Sequence, residues 1–401
     1  MLFNLSSIIS AYYSCRKGKR NSIYQLLFEA YFENNLITLQ EQLKSNSYVI
    51  GHSLCFVITY PSTREIFAAN FIDRIVHHLL INQIEDPIDR TFIYDSFACR
   101  KEHGVICGVK RLQYFLNKVT DNKRVNAYYL KLDISSFFYS IDKLKLFNIL
   151  SKAVYRLTYN EEEKRDLLKL SEQIIFHNPC TKYIPKGDFK LIQRLPPSKS
   201  LFTSGENKGL PIGNLTSQFF ANLYLNELDQ FIKRKLKIKY YLRYADDLLF
   251  LSQDINQLKD IEEVVTEFLN KELLLKIKRE KTVYGSVYQG IDFIGSIARP
   301  NYVLARNRTV SNLKRKLYYF NQGLLIDRSM CKEEAVAIHT PPTQEELETI
   351  CSSINSTFGH LKWSNSYNLR QNLYYNHFGR LNDYIEVQGN LDSFRPRKPS
   401  F

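Results

Sequence analysis

The chain has 401 residues, 44% of them hydrophobic, and its 55 Lys and Arg outnumber its 41 Asp and Glu. This hydrophobic fraction excludes a disordered chain, and the length suffices for two or three subdomains. The net charge of +14 favours a polyanionic partner, with nucleic acid ahead of a membrane. Apolar runs stay well short of the ~20 residues of a membrane span. The basic cluster at 16–20 follows the apolar start, which excludes a signal peptide.

The first eighty residues predict helices around one strand. Residues 3–46 have the spacing of two or three amphipathic helices, and the basic loop 16–20 between the first two either grips phosphates or is simply solvated. A strand within 49–59, a turn at 60–66 and a helix over 66–82 follow. Seven scattered cysteines without a Cys-x-x-Cys pair predict reduced thiols and a cytoplasmic location.

The most informative stretch is 239–252, where two β-prone runs flank the acidic pair Asp246-Asp247. This pattern predicts a hairpin with both carboxylates at its tip. Asp is a common turn residue, so a plain turn is the alternative. Between buried strands, however, two like charges are costly unless a cation neutralises them, and Mg²⁺ prefers carboxylate oxygens.

A third acid, Asp133, ends a second alternating apolar strand that begins at Tyr128. Three converging carboxylates can hold two metal ions roughly 3.5–4 Å apart, which activate an attacking 3′-hydroxyl and stabilise a leaving pyrophosphate. Asp133 followed by the aromatic pair Phe137-Phe138, with Tyr-Ala-Asp-Asp at 244–247, resembles the palm of a reverse transcriptase.

This resemblance implies an α+β, right-hand polymerase fold. Fingers with N-terminal helices would cover residues 1–125, the palm 126–298, and a helical thumb with a basic tail 299–401. The palm would contain an insertion at about 158–208 and a returning helix at 209–235.

The resemblance also implies the activity and its cofactor. The enzyme would be an RNA-directed DNA polymerase, a nucleotidyltransferase that binds a template RNA and a cDNA or primer. It would use two Mg²⁺ ions, for which Mn²⁺ can substitute. The implied metal ligands are Asp133, Ile134, Asp246 and Asp247, and the three aspartates are the implied catalytic residues.

Three residues are assigned by resemblance to the incoming nucleotide. Arg64 would cover the nucleotide, and Lys281 would lie near its triphosphate, with a solvated strand end as the alternative for Lys281. Phe138, five residues after Asp133, would lie under the sugar and exclude a 2′-hydroxyl. Alternation places at least one ring of Phe137-Phe138 in the core instead.

A second group is assigned to the nucleic acid. Arg100 and Lys101 would line the template–primer path, although a basic loop before a helix is common in any protein. Gly290 and Gly295 bound a hairpin that is similar to the primer grip. Tyr244, directly before the Ala-Asp-Asp turn, completes the group.

The stretch 209–225 refines the resemblance. Gly213 permits close backbone approach, and the segment resembles the polymerase element beneath the templating base pair, which assigns Ile212, Gly213 and Gln218 to nucleotide binding. Most reverse transcriptases carry Gln before this Gly and Ser-Pro after it, whereas this chain has Ile212 and Ser217-Gln218. The variant resembles the reverse transcriptases of diversity-generating retroelements. Those prokaryotic or phage-encoded enzymes copy a template RNA with errors opposite adenine and work with a small basic accessory protein.

Two alternatives stay open. One is a retron-like or phage-defence-associated reverse transcriptase, although the Val-Thr-Gly signature of retron template recognition is absent from the sequence. The other is a non-catalytic RNA-binding scaffold, which would have no need for three converging carboxylates.

The sequence also predicts several local features. They are an ion pair between Asp73 and Arg74, helices at 160–176 and 256–274 with an irregular connection after the first, thumb helices near 311–323, 344–358 and 364–386 with a break at 356–360, and a core position for Trp363.

Overall fold

The computed structural model describes residues 3–18, 22–59, 62–323 and 342–397. Parts of the predicted basic loop (19–20), turn (60–61) and basic tail (398–399) lie outside the described residues.

The described residues form fourteen α-helices. In chain order they are α1 (Leu5–Arg16), α2 (Ile23–Glu29), α3 (Phe32–Lys44), α4 (Phe71–Asp89), α5 (Val105–Val119), α6 (Phe137–Ser140), α7 (Lys143–Tyr155), α8 (Glu161–Phe176), α9 (Leu215–Gln230), α10 (Ile255–Glu272), α11 (Asn307–Gly323), α12 (Gln344–Leu361), α13 (Tyr367–His377) and α14 (Leu381–Tyr384). A π-helical turn, Phe231–Lys235, continues α9.

The strands are short and mostly antiparallel. In chain order they are β1 (Ser53–Ile58), β2 (Arg64–Ala68), β3 (Tyr128–Asp133), β4 (Tyr183–Pro185), β5 (Tyr241–Tyr244), β6 (Asp247–Ser252), β7 (Val283–Ser286), β8 (Ile291–Phe293), β9 (Ser296–Arg299), β10 (Tyr302–Ala305), β11 (Ile385–Gln388) and β12 (Ser393–Pro396). They form sheets in the orders β2-β1-β4, β5-β6-β3-β7, β10-β9-β8 and β11-β12.

The chain divides into two compact units, each described here by itself. The first comprises Met1–Gly104, Leu130–Phe250 and Ile255–Tyr284, and the second Val105–Tyr129, Leu251–Asp254 and Gly285–Phe401. Helices and antiparallel sheets give the predicted α+β class. None of the helices in the described residues is long and apolar enough to cross a membrane. The division into fingers, palm and thumb stays a prediction.

The sheet around β1 corrects the prediction of a helix over 66–82. Residues 64–68 form β2, which pairs antiparallel with β1 from Leu54 opposite Ala68 onward. Helix α4 begins only at Phe71, because the Asn70 side chain caps it by accepting a hydrogen bond from a backbone N–H of the first turn.

The predicted ion pair between Asp73 and Arg74 is wrong. Asp73 is buried and accepts hydrogen bonds from the Tyr48 hydroxyl at 2.5 Å and from the Gly51 N–H at 3.0 Å. The Arg74 side chain instead donates to the Ala69 carbonyl at 2.8 Å. Adjacent helical positions face different directions, so each side chain finds its own partner.

The segment 158–208 confirms one prediction and corrects another. Helix α8 fits the predicted helix at 160–176, and Asn160 with Glu163 forms its capping box. The connection after it is not wholly irregular, because β4 pairs in parallel with β1, with Ser53 opposite Tyr183.

Helix α9 is the buried centre of the first unit. It packs against α4 and α7, and its buried residues lie around the whole helix instead of along one stripe. Its polar residues Asn222 and Asp229 are therefore buried too, and buried polar groups need hydrogen-bond partners. The predicted helix at 209–235 is confirmed from Leu215 onward.

The second unit has a core formed mainly by its C-terminal helices α11, α12 and α13. Leu317, Phe358, Phe378 and Phe394 are buried together in it, with the last of these on β12. The predicted helix over 364–386 is in fact α13, α14 and the start of β11.

Two further thumb predictions are wrong. Helix α12 runs through 356–360 without a break, since a single Gly359 costs a helix only ~1 kcal/mol. Trp363 is not a core residue: it is 54% exposed, with the Lys110 ammonium 4.8 Å from its ring centre.

Candidate active site

The hairpin of β5 and β6 carries the acidic pair, as predicted. Tyr244 lies opposite Asp247, so Ala245 and Asp246 form a two-residue turn. Ala245 has a φ of 52°, the left-handed conformation that such tight turns require. The inner residues of both strands are fully buried, which fixes the position of the tip.

Asp133 is positioned by the segment that precedes β7. The Asp133 carbonyl accepts a hydrogen bond from the Lys278 N–H at 2.8 Å, and the Ser135 N–H donates to the Lys276 carbonyl at the same distance. These bonds bring Lys281 to the site, where its ammonium lies 2.6 Å from a carboxylate oxygen of Asp133. The structure therefore places Lys281 beside the aspartates, although 54% of its side chain is exposed.

The three aspartates influence one another. Burial, reinforced by the negative charges of Asp247 and Asp133, raises the pKa of the Asp246 carboxyl to about 6, against the opposing effects of its own backbone N–H and of Arg64. Burial also raises the pKa of Asp247, which Lys131 counteracts from 3.4 Å. Burial and the repulsion between neighbouring carboxylates thus make the charged forms of Asp246 and Asp247 costly.

The carboxylates of Asp133, Asp246 and Asp247 are the candidate ligands for a divalent cation. Within residues 3–18, 22–59, 62–323 and 342–397, no three acidic, His or Cys side chains are gathered tightly enough to hold a metal ion, so the predicted convergence is looser than metal coordination needs. Ammonium groups of Lys281 and Lys131 contact Asp133 and Asp247 instead. The three carboxylates repel one another, but their oxygen atoms are hard ligands of the kind that suits Mg²⁺ or Mn²⁺. The donor chemistry therefore suits the cation, and binding would require the carboxylates to draw closer and to exchange their lysine contacts.

The residues assigned to the nucleotide lie in the same unit. The positive charge of Arg64 acts on Asp246, although its side chain is exposed and donates to the Ser62 hydroxyl at 3.1 Å. Phe137 is the buried core ring, although both rings lie on helix α6 and not on the strand from which alternation was inferred. Phe138 is half-buried, and its carbonyl accepts from the Leu210 N–H at 2.8 Å.

Gly213 shows the close approach that the sequence predicts. Its φ is 122°, and an added Cβ would lie 2.8 Å from the Ile66 side chain and 3.0 Å from the Phe67 carbonyl oxygen. The neighbouring Ile212 carbonyl accepts from the Phe67 N–H at 2.9 Å. The Ile212 side chain is half-buried, and Gln218 is exposed on α9. The nucleotide-binding roles of these residues stay predictions.

The residues assigned to the nucleic acid fall in both units. Tyr244 is half-buried at the end of β5. Gly290 and Gly295, with φ of 93° and 82°, bound β8 and the β8–β9 turn in the second unit, which confirms the hairpin but does not test its role. Lys101 is exposed and pairs with Glu85 and Asp86. Ile134 is buried beside Asp133.

Arg100 has a packing role in this structure. Its guanidinium forms a two-pronged ion pair with Asp89, and it also donates to the carbonyls of Asp89, Ile93 and Ser96. These acceptors occupy all five of its N–H donors. Arg100 is therefore left out of the proposed nucleic-acid contacts.

Sequence reasoning missed two residues at the site. Lys131 lies two positions before Asp133, and the period of a strand places both on one face, so alternation could have found it. Arg243 is fully buried. The only sign of this in the sequence is that a charged residue stands in an otherwise apolar strand.

Acidic side chains on adjacent strands, beside a lysine, are the arrangement expected of a nucleotidyltransferase of the polymerase type. Residues 60–298 match the family model described as reverse transcriptase (RNA-dependent DNA polymerase). The match covers more than half of the chain, and the chain belongs to this family. The right-hand polymerase fold predicted from the sequence is thereby confirmed.

Individual relatives are more distant. A retron Ec73 reverse transcriptase from Escherichia coli is 27% identical over 146 residues, which cover 35% of this chain and 37% of the relative. A telomerase structure from Candida albicans in complex with a fragment of telomeric RNA has a TM-score of 0.48 at 13% identity, covering 88% of this chain and 63% of the telomerase. A truncated apo telomerase from Candida tropicalis gives 0.46 at 13% identity, with 64% and 55% covered. The family match carries the assignment.

Proposed function

We propose that this protein is an RNA-directed DNA polymerase that copies a template RNA into cDNA. The observation that carries the proposal is the placement of Asp133, Asp246 and Asp247 on neighbouring strands, close enough for the charge of Asp133 to raise the pKa of the other two, within the segment that matches the family. Neighbouring, half-buried acids whose charges repel one another are costly to a fold and are useful where a cation has to bind.

The three aspartates would hold the divalent cations, which we propose to be two Mg²⁺ ions with Mn²⁺ as a substitute. Bound there, the metal would lower the pKa of the primer 3′-hydroxyl and stabilise the pyrophosphate that leaves. Arg64 and Lys281 would bind the triphosphate, and the half-buried ring of Phe138 would exclude a ribose 2′-hydroxyl. The Lys281 ammonium would leave Asp133 and bind the phosphates instead, since the carboxylate and the phosphates are both anions.

The test is Asp246→Asn, which keeps the side-chain volume and removes the ligand charge. Primer extension with Mg²⁺ should be abolished, while thermal unfolding and RNA affinity stay near wild type. Asp260→Asn, an exposed position on α10, is the matched control and should extend normally. Extension by Asp246→Asn within about tenfold of wild type, a barrier change under ~1.4 kcal/mol, would contradict the assignment.

Within the family, we propose a polymerase of a diversity-generating retroelement. Ile212 before Gly213 and Ser217-Gln218 after it support this, because they replace the usual Gln and Ser-Pro. The proposal includes frequent errors opposite template adenine, recognition of a particular template RNA and a small basic accessory protein. The purified chain alone should then copy generic templates poorly and without a preferred start site.

A retron-like enzyme is the second candidate, and the retron relative favours it. The two candidates differ in the errors that they make. A retroelement polymerase should make errors mainly opposite template adenine, and a retron-like enzyme should show an even error spectrum. Sequencing the cDNA made by the wild-type protein therefore separates them. Genomic neighbours give an independent answer, since an imperfect repeat beside a variable gene favours the retroelement.

A further inference from the structure

Arg243, the residue before the Tyr-Ala-Asp-Asp motif, is a fully buried charge. Its guanidinium donates to both carboxylate oxygens of Asp229 on α9, with the shortest contact at 2.7 Å, and both side chains have no solvent exposure. The Tyr241 hydroxyl donates to the same carboxylate at 2.7 Å. Asp229 is therefore fully engaged by its two neighbours on β5.

The remaining guanidinium nitrogen points to the hairpin tip. Nη1 of Arg243 donates to the Ala245 carbonyl at 3.1 Å and to the Asn222 side-chain oxygen, also at 3.1 Å. Ala245 is the left-handed residue of the turn, and its carbonyl carbon is bonded to the nitrogen of Asp246. A hydrogen bond to this carbonyl fixes the peptide plane from which the Asp246 side chain departs.

Arg243 is also held through its backbone. Its N–H donates to the Asp95 carbonyl at 2.9 Å, and its carbonyl accepts from the Phe97 N–H at 3.0 Å. Asn222 donates in turn to the Ala98 carbonyl at 2.7 Å. Helix α9, the segment 95–98 and the hairpin thus meet at one residue, through its side chain and its backbone.

We propose that Arg243 is a positioning residue, which sets the orientation of Asp246 through the Ala245 carbonyl and is itself oriented by Asp229 and Asn222. The inference rests on the proposed function, because that proposal is what identifies Asp246 as a metal ligand. A planar guanidinium with five donors can bind a carboxylate and reach a carbonyl at the same time, whereas an ammonium at the end of a lysine cannot span both.

A purely stabilising ion pair is the competing explanation. Buried ion pairs contribute little net stability, because desolvation offsets their attraction, and an apolar replacement is often as stable. A stabilising role therefore predicts changes in unfolding temperature alone. A positioning role predicts a change in metal affinity in a protein that is still folded.

The experiment compares Arg243→Lys with wild type in three measurements. They are thermal unfolding, Mn²⁺ affinity from the electron paramagnetic resonance signal of the free ion, and the rate of single-nucleotide extension as a function of Mg²⁺ concentration. Lys keeps the charge beside Asp229 but gives up the Ala245 carbonyl. We expect a folded protein that binds Mn²⁺ about 10–100-fold more weakly, as when a second-layer partner of a metal ligand is removed. Extension should slow by about 10–100-fold and partly recover at high Mg²⁺.

Lys233→Met is the matched control. It removes another largely buried ion pair of the same region, with Asp95 at 2.9 Å, and leaves the hydrogen bond from Arg243 to the Ala245 carbonyl in place. This variant should lose stability but keep the wild-type Mn²⁺ affinity and Mg²⁺ dependence.

A second variant covers the case in which Arg243→Lys fails to fold. Asp229→Leu/Tyr241→Phe/Arg243→Met removes the carboxylate, the hydroxyl and the guanidinium together, so it leaves little buried and unpaired. It should fold and show the same weakened Mn²⁺ binding. Wild-type Mn²⁺ affinity in either folded variant overturns the positioning role. If affinity falls as expected but wild type extends no primer with any metal, the positioning role stands and the polymerase proposal fails.

Discussion

Asp246 is surrounded differently from the other two aspartates. Lysine ammonium groups contact Asp133 and Asp247, whereas Asp246 faces the charges of those neighbours with Arg64 as a weaker opposing charge. The raised pKa of Asp246 means that its negative charge is costly in this site, and a bound cation would relieve that cost. Lys281 and Lys131 neutralise Asp133 and Asp247 in this structure. In the proposed enzyme, the divalent ion would take over that role.

Ile212 gives a test of fidelity at the level of one side chain. The usual amide at this position can hydrogen-bond near the nascent pair, and losing one such bond costs ~0.5–1.5 kcal/mol, enough for several-fold more errors. The backbone of Ile212 is held through its carbonyl, so Ile212→Gln changes the side chain alone. We expect fewer errors opposite template adenine and little change opposite the other bases, measured by sequencing cDNA.

Ile184→Gln is the control for that substitution. Ile184 is 50% exposed on β4, so the same chemical change there should leave the error spectrum unaltered. An unchanged spectrum for Ile212→Gln would remove Ile212 from the fidelity mechanism. Accurate copying of adenine by the wild type would remove the retroelement assignment as well.

Residues were predictable where a chemical requirement is local. The close approach at Gly213 and the aspartates at strand ends follow from residue type and pattern, and the structure confirms where they lie. The role of Arg100 was not predictable, because its five acceptors come from Asp89, Ile93 and Ser96 and exist only once the loop is folded. The burial of Arg243 depends in the same way on a distant helix.

Among elements, β12 has the clearest energetic role. Phe394 packs with Phe358 at 4.7 Å and Phe378 at 5.0 Å between ring centres, and its backbone exchanges two hydrogen bonds with the Asn355 side chain. Phe394→Ala should therefore destabilise the second unit by about 3–5 kcal/mol. Hydrogen exchange in α12 measures the loss.

Tyr375→Ala provides the comparison on a neighbouring helix. Tyr375 is 72% exposed on α13, so its truncation should change exchange in α12 very little. Equal effects of the two variants would show that β12 is not part of the core of this unit.

Elements were predictable where a long segment has one period. The hairpin of β5 and β6 and helices α8 and α10 came out close to their predicted bounds. Strand β2 was mistaken for the start of a helix because a short apolar run fits both periods. The three-residue β4 and the hairpin of β11 and β12 are too short to carry a pattern, and they form because their partners are already in place.

On the scale of the whole molecule, the charge of +14 predicts how RNA is bound. Each phosphate neutralised by Lys or Arg releases counterions, so affinity falls steeply with salt. If six or more phosphates are contacted, affinity should fall by about 10³-fold or more between about 50 and 200 mM salt. Filter binding or fluorescence anisotropy across this range gives the slope.

Lys101→Met sharpens that measurement. Its ammonium already pairs with Glu85 and Asp86, so the structure leads us to expect an unchanged slope. A slope reduced by about one would instead place Lys101 on the template–primer path. A wild-type affinity that is insensitive to salt would contradict electrostatic binding altogether.

The parallel pairing of β1 with β4 has a consequence for protein synthesis. Ser53 lies opposite Tyr183, which is translated 130 residues later. At ~5–20 residues per second, β1 waits roughly 7–26 seconds on the ribosome for this neighbour. During that time the strand edge presents unpaired N–H and C=O groups to other nascent chains. Translation speed between these two codons therefore sets how long the polypeptide is open to aggregation, and with it the yield of native protein.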